Sequence, residues 1–138
     1  MKKNPDIDHC IRTGAYALII QNGQIFLTRK AKGPHQQLWD LPGGGISFSE
    51  TPLEALHREL LEEASLLTTD PTLLTVLSHH GTHHSQRYHH LGIIYRLHNI
   101  TPTTHTPEEE GRWFPVSALT PTQLTPFVRQ LLTQGFLI

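Results

Sequence analysis

The chain has 138 residues, of which 37% are hydrophobic and 17% charged, and its formal net charge at pH 7 is −1. This length suits one compact core, so we expect a single domain over residues 1–138. A nearly neutral chain has no general attraction to a nucleic-acid polymer or an anionic membrane, and we expect neither as a partner. The one cysteine, Cys10, excludes an internal disulfide framework, and no apolar run reaches membrane-spanning length. These features predict a cytoplasmic protein with a local site for a small ligand.

Apolar runs with strand character open the chain. AYALII (15–20) and QIFLTR (24–29) are separated by Gln-Asn-Gly, a spacing that predicts a β-hairpin. Further strands are predicted at residues 73–78 and 88–97. The strand candidate WFPV begins at Trp113.

The polar segment TPTTHTPEEEG, residues 101–111, predicts an exposed loop. The end of the chain predicts a helix over residues 126–134. Thr125 would be its N-cap, Pro126 its first residue and Gly135 the residue that follows its end.

The strongest helix signal lies at residues 51–64. Thr51 suits an N-cap, Pro52 the first turn, and Glu54 stands three residues after Thr51, as a capping box requires. An apolar stripe at spacings of three and four, which we expect to face a sheet, consists of Leu53, Leu56, Leu60, Ala64 and Leu67.

Three glutamates share a face of this helix. Glu59, Glu62 and Glu63 are spaced i, i+3 and i+4, so their carboxylates repel one another and favour a bound cation. Mg²⁺ and Mn²⁺ prefer such oxygen ligands. The alternative is an ordinary solvated helix face. The preceding LPGGG favours the metal site, since bare backbone allows a ligand to approach the acidic face.

The same residues resemble the Nudix box, G-x5-E-x7-R-E-U-x-E-E-x-G-U, where U is a bulky aliphatic residue. Gly44 stands at its first position and Glu50 at its first glutamate, and R-E-L-L-E-E-A follows from Arg58. The departure is Ser65, which replaces the last glycine before Leu66. That glycine resembles a helix C-cap, so a left-handed Ser65 would cost about 1 kcal/mol. LWDLPGG upstream and GRWFPVSAL downstream extend the resemblance over most of the chain.

The resemblance implies an α/β/α sandwich around a mixed β-sheet, and hydrolysis of a nucleoside diphosphate linked to another group with Mg²⁺ or Mn²⁺. It implies that Glu59, Glu62 and Glu63 bind the metal, that the Gly44 carbonyl joins them, and that Glu50 and Arg58 support them. The general base in this family lies on the helix or in a later loop. The candidates are Glu59, Glu108, Glu109 and Glu110, and for the last three a solvated acidic loop is the alternative.

Three further residues are candidates for substrate binding. Arg29 ends a predicted strand and suits a phosphate contact, and Glu110 belongs to the acidic loop. Trp39 suits either stacking on a base or packing in the core, and packing is the more common use. A small-molecule nucleotide is the expected partner, and a homodimer is left open.

Histidines are dense around Gly81, where we predict a turn: His79, His80, His83, His84, His89 and His90. Such imidazoles bind Zn²⁺ or Ni²⁺ in some proteins, but no cysteine or fixed ligand spacing accompanies them, which favours a polar hairpin. If they act in function, contact with substrate phosphate is favoured over a structural metal. Two rival functions remain, a catalytically silent nucleotide sensor and a histidine-rich metal-handling protein.

Overall fold

In the computed structural model of the protein, the described residues are 9–137, with side chains from Cys10 onward. The strands are β1 (His9–Leu18), β2 (Ile20–Gln21), β3 (Gln24–Arg29), β4 (Trp39–Asp40), β5 (Gly43–Gly45), β6 (Leu66–Leu67), β7 (Thr72–His83), β8 (Gln86–Arg96), β9 (Thr101–Pro102) and β10 (Gly111–Pro115). The helices are α1 (Pro52–Ala64) and α2 (Pro126–Thr133).

The largest sheet is mixed and has the strand order β5-β1-β8-β7. β1 and β8 run parallel, whereas β5 pairs with β1 and β7 with β8 in the antiparallel sense. A second sheet places β3 between β10 and β2, with β4 also paired to β3, and β6 pairs with β9.

The two helices pack on opposite sides of these strands. Leu56 and Leu60 of α1 pack in one cluster with Ala15 of β1, whereas Val128 of α2 packs in another with Leu18. Alternate residues of a strand face opposite sides of a sheet, so β1 contributes to both clusters. The expected α/β/α arrangement around a mixed sheet is confirmed.

Local signals placed the start of α1 correctly. Glu54 N donates to Thr51 Oγ1 over 3.1 Å and Thr51 N donates to Glu54 Oε1 over 3.0 Å, which completes the capping box. The prediction of an apolar stripe facing the sheet is wrong for two of its members. Leu53 is 44% exposed at the first turn, and Leu67 is 46% exposed because the chain has already left the helix for β6.

Ser65 adopts the left-handed conformation expected at the end of α1, with φ 59° and ψ 40°. Its side chain is used there, because Ser65 Oγ donates to the Thr103 carbonyl over 3.1 Å and lies 2.6 Å from Thr103 Oγ1. Such bonds each contribute about 1 kcal/mol, similar to the cost of the left-handed backbone. Serine is therefore tolerated where the family pattern has glycine.

The hydrogen bonds of Ser65 and the strain of its left-handed backbone predict the stability of two variants. Ser65→Ala keeps the strained backbone and loses the hydroxyl, so it should lower the free energy of unfolding by about 1 kcal/mol. Ser65→Gly loses the hydroxyl but relieves the strain, and should be more stable than Ser65→Ala by about 1 kcal/mol. Urea unfolding of the three proteins measures both differences. Equal stability of the two variants would contradict the account of the strain.

The predicted turn at Gly81 is wrong. Gly81 pairs with Tyr88 inside a continuous β7/β8 ladder, and the turn lies at His84 and Ser85. Both turn residues have positive φ, 51° and 64°, as a two-residue hairpin turn of the right twist requires. The sequence carries no Asn-Gly or Asp-Gly there, so the usual turn signal was missing.

The other boundaries differ modestly from the predictions. The strand at 24–29 is confirmed, and that at 15–20 is part of a longer β1, which ends at Leu18 before β2 begins. Segment 101–111 is mostly exposed, although Glu109 is half-buried. The C-terminal helix ends at Thr133, and Gly135 follows with φ 79°. Within residues 9–137, no helix is both long and apolar enough to cross a membrane.

Candidate active site

Arg58 on α1 joins several acidic groups of the Nudix box. Its Nε and Nη2 donate to the two oxygens of Glu50 over 2.7 and 2.8 Å, and Nη2 also donates to the Gly45 carbonyl over 3.0 Å. Nη1 donates to Glu59 over 2.8 Å and to Glu62 over 3.3 Å. A planar guanidinium matches this fork of acceptors, which holds the carboxylates in one place.

Glu50 is a fixed charge that anchors this arrangement. The hydrogen bonds from Arg58, and after them the one from the Ser47 backbone N–H at 2.9 Å, lower the pKa of Glu50 to about 2. Glu50 therefore stays ionised across the neutral range and orients the guanidinium. The two hydrogen bonds between Glu50 and Arg58 suit a role for Arg58 in positioning the neighbouring glutamates.

The glycines of β5 lie directly against α1. A Cβ at Gly44 would stand 2.7 Å from Glu59 Cδ, and the Gly43 N–H donates to Glu63 Oε2 over 3.3 Å. β5 is held there by its antiparallel pairing with β1, in which Gly44 opposes Ala15. The bare backbone thus brings the Gly44 peptide next to the acidic face, as the sequence indicated.

Lys30, which the sequence analysis did not single out, lies among buried carboxylates. Its Nζ is 3.6 Å from Asp40 Oδ2, 3.8 Å from Glu63 Oε1 and 3.9 Å from Glu109 Oε1. Burial alone would lower the pKa of Lys30, but the Asp40 and Glu63 carboxylates outweigh it and hold that pKa above its ordinary value. Lys30 therefore stays protonated.

Glu63 and Glu109 have largely buried carboxyl groups, with 10% and 11% of their side chains exposed. Burial raises the pKa of Glu63 well above its ordinary value; Lys30 opposes this shift and Glu109 adds to it. Glu109 Oε1 is buried without a hydrogen-bond partner, since Lys30 lies beyond hydrogen-bonding distance. A bound cation would stabilise the charged forms of these two carboxyl groups.

Asp40 is a second residue that the sequence analysis missed. It is buried, and its Oδ1 accepts from Thr125 Oγ1 over 2.7 Å and from the Leu41 N–H over 2.8 Å. Thr125 is the residue before α2, as predicted, but its hydroxyl serves Asp40 instead of capping the helix. The signal available in the sequence was an aspartate within LWDLPGG, directly before the glycine strand.

One cavity of about 560 Å³ contains much of this chemistry. The box residues and neighbours that line it are Gly44, Gly45, Glu59, Glu63, Lys30, Asp40, Tyr16 and Glu109. Among the residues that the structure describes, no three acidic or histidine side chains are grouped closely enough to enclose a metal ion. Arg58 and Lys30 instead lie within ion-pair distance of these carboxylates.

The donor set nevertheless fits a hard divalent cation. Glu59 and Glu63 line the cavity, Glu62 lies beside them with 39% of its side chain exposed, and the Gly44 backbone adjoins Glu59. Carboxylates, a backbone carbonyl and room for water form the ligand set that Mg²⁺ and Mn²⁺ prefer. The buried, unbonded Glu109 oxygen is a further available acceptor.

The candidate bases separate by position. Glu109 lines the cavity together with Glu59, whereas Glu108 and Glu110 are exposed and do not line it. The loop is fixed on α1 because the backbone N–H groups of Glu108 and Glu109 donate to the last-turn carbonyls of Glu62 and Glu63 over 3.0 and 3.4 Å. This contact determines which glutamate of the run faces inward.

The three predicted substrate contacts lie elsewhere. Arg29 pairs with Glu110 over 2.8 Å, and neither residue lines the cavity. Trp39 is 7% exposed and packs edge-to-face on Phe114 with a centroid distance of 4.9 Å. Its burial fits the packing interpretation.

Known proteins resemble this chain over most of its length. The NUDIX domain profile matches residues 11–134. A MutT NUDIX hydrolase from Burkholderia pseudomallei has a similar structure, with a TM-score of 0.77 and 28% identity over 91% of this chain and 98% of that one.

Curated relatives match over shorter segments. The chain is 42% identical over 57 residues to an RNA pyrophosphohydrolase of Xanthomonas oryzae pv. oryzae (strain MAFF 311018), covering 41% of this chain and 26% of the relative. It is 37% identical over 77 residues to a Bacillus subtilis (strain 168) protein named provisionally as an ADP-ribose pyrophosphatase, covering 55% and 36%. The chain thus spans only about a quarter to a third of these relatives. Because the profile covers most of its residues, the chain belongs to the NUDIX domain family.

Proposed function

We propose that the protein hydrolyses a phosphoanhydride bond in a nucleoside diphosphate linked to another group, with Mg²⁺ or Mn²⁺ as cofactor. The observation that carries this proposal is the convergence of Glu59, Glu63, Glu109 and the bare Gly44 backbone in one cavity. The names of the relatives, an RNA pyrophosphohydrolase and an ADP-ribose pyrophosphatase, support the same reaction class.

In this proposal, Glu59, Glu62, Glu63 and the Gly44 carbonyl hold the metal. Bound divalent ions would supply charge neutralisation for the diphosphate and lower the pKa of a coordinated water. Arg58 and Glu50 act as positioning residues, since their paired hydrogen bonds at 2.7 and 2.8 Å fix the acidic face of α1.

The protein's own side chains also handle the proton and the substrate charge. Glu59 and Glu109 line the cavity, so one of them is the carboxylate that accepts a proton from the water attacking phosphorus. Lys30 is protonated and lines the same cavity, so its ammonium group would donate a hydrogen bond to a phosphate oxygen of the substrate. The displacement is in line, and the leaving group departs as a phosphate or a nucleotide.

The first test is a hydrolysis screen with Mg²⁺ or Mn²⁺. The panel contains nucleoside triphosphates, sugar nucleotides, ADP-ribose, dinucleoside polyphosphates, dinucleotide cofactors and a 5′-triphosphorylated RNA oligonucleotide. We expect turnover of one class that stops when EDTA removes the metal. If no compound is hydrolysed although a nucleotide binds, the catalytically silent sensor replaces this proposal.

The histidine-rich metal-handling alternative is disfavoured because no cysteine or fixed ligand spacing accompanies the histidines. It would regain support if Zn²⁺ or Ni²⁺ bound tightly to a protein that lacks the box glutamates. Equilibrium dialysis of the wild type and of a triple variant, Glu59→Gln with Glu62→Gln and Glu63→Gln, makes that comparison.

A further inference from the structure

Four aromatic side chains from separate segments form one wall of the cavity. His35, His79, Tyr88 and His90, here called the His–Tyr wall, are all half-buried and all line the cavity. The ring centroids of Tyr88 and His90 are 4.7 Å apart, and His35 lies 5.5 Å from His79 and 5.8 Å from Tyr88. The proposed function uses none of these residues.

Strand register assembles three of the four rings. His79 pairs with His90 and Gly81 with Tyr88 across the β7/β8 ladder, so their side chains share one face of the sheet. A Cβ at Gly81 would stand 2.6 Å from Tyr88 Oη. A glycine at this position therefore leaves the space that the Tyr88 phenol occupies. His79 Nε2 and Tyr88 Oη are 3.1 Å apart and share a hydrogen bond.

His35 closes the wall from the loop between β3 and β4. Within residues 31–37 it is the half-buried residue, and all others are exposed. The loop therefore points one imidazole at the sheet, whereas its exposed residues Lys32, Gly33 and Pro34 line the same cavity.

The imidazoles of the wall are uncharged near neutral pH. Burial lowers the pKa of His35 to about 4, and burial lowers the pKa of His79 and His90 as well. The charged groups that face them are Arg12 and Arg129, which oppose protonation, and Asp40, which favours it without reversing the shift. Neutral imidazole and phenol offer flat faces together with hydrogen-bond donors and acceptors.

The wall and the acidic groups lie at different places in the same cavity. β1 connects them, because Arg12 pairs with His90 and Ala15, three residues further on, pairs with Gly44. Three residues of strand span about 10 Å, and β5 and β8 lie about 4.8 Å to either side of β1, so the two backbone positions are about 14 Å apart. A nucleoside carrying two phosphates can bridge such a separation.

We propose that the His–Tyr wall is the subsite that holds the nucleobase of the substrate. This inference rests on the proposed function, because it places the diphosphate of the same molecule at Glu59 and Glu63. A neutral base stacks on flat aromatic faces and hydrogen-bonds to the imidazole nitrogens and the Tyr88 hydroxyl. The wall thus selects nucleotides over diphosphates that lack a base.

The competing explanation is that His35, His79 and His90 only anchor the loop. A structural role of that kind would alter stability and would affect ligands with and without a base equally. The experiment therefore compares two probes that differ only in the base: adenosine 5′-monophosphate or guanosine 5′-monophosphate against ribose 5-phosphate.

Equilibrium binding of these probes is measured for the wild type, His90→Ala, Tyr88→Leu and Tyr88→Phe. Matched controls are His80→Ala and His89→Ala, whose rings pair at 6.1 Å on the opposite face of the same strands. We expect His90→Ala and Tyr88→Leu to weaken binding of a nucleoside monophosphate about tenfold or more, since aromatic–base stacking is of that size, and to leave ribose 5-phosphate unaffected. Tyr88→Phe keeps the ring and should lose less, and the controls should match the wild type.

Unchanged nucleotide binding in the folded wall variants overturns the inference, as does an equal loss in the controls or an equal loss for ribose 5-phosphate. Absence of nucleotide binding by the wild type also overturns it. Melting temperatures show whether each variant is folded. If His90→Ala does not fold, Tyr88→Phe provides a more conservative change in the same wall. The binding experiment does not depend on turnover. Its result can therefore be interpreted even if the substrate screen detects no hydrolysis.

Discussion

Replacing Glu63 with glutamine is expected to reduce turnover at least about a hundredfold while the protein remains folded. A metal ion contributes several kcal/mol to the transition state, and about 1.4 kcal/mol corresponds to a factor of ten. Glutamine has the same shape, and its carbonyl oxygen can accept from the Gly43 N–H as Glu63 Oε2 does over 3.3 Å. Burial disfavours the charged form of Glu63, so removing the charge should not destabilise the metal-free protein.

The measurement is steady-state hydrolysis of the substrate found in the screen, together with melting temperatures in EDTA and in Mg²⁺ or Mn²⁺. A ligand that binds only the folded state stabilises it by mass action, so metal should raise the melting temperature of the wild type more than that of the variant. Glu54→Gln is the matched control, since it lies on the same helix and glutamine also completes a capping box. A rate near that of the wild type in Glu63→Gln would falsify the assignment of this residue as a metal ligand.

Local sequence signals accounted for the helix that carries the site. The Thr51 cap, the spacing of Glu59 and Glu63 and the departure at Ser65 all depend on residues within a few positions of each other, and the structure shows the cap and the left-handed Ser65. Helix geometry is periodic, so such features can be derived from spacing alone.

The missed residue Lys30, and the choice among the acidic loop candidates, depend on contacts between distant segments. Lys30 meets Glu63 only because β3 and β4 place it beside α1, and nothing near Lys30 in the sequence indicates this. Glu109 and Glu110 are neighbours in a run of identical residues. The contact of the loop with the end of α1 turns Glu109 inward, whereas Glu110 pairs with Arg29.

Substituting Gly44 with alanine is the second change with a large expected effect. The new Cβ would lie 2.7 Å from both Cδ and Oε2 of Glu59, so the carboxylate must move away. Because the end of a flexible side chain can shift at little cost, the free energy of unfolding should change by less than about 1 kcal/mol. Turnover should fall roughly a hundredfold, since a displacement of about 1 Å at a reacting centre has an effect of that size.

Gly45→Ala is the matched control, because a Cβ at Gly45 would meet no atom within 4 Å. Both glycines lie in β5, so a general effect of alanine on the strand would appear in both variants. Comparing kcat and unfolding in urea for the two separates crowding of Glu59 from damage to the sheet. Full activity in Gly44→Ala, or an equal loss in Gly45→Ala, would mean that the close approach of the Gly44 backbone to Glu59 is not what the site requires. A loss confined to Gly44→Ala would tie function to that contact, and so explain why bare backbone stands against the acidic face of α1.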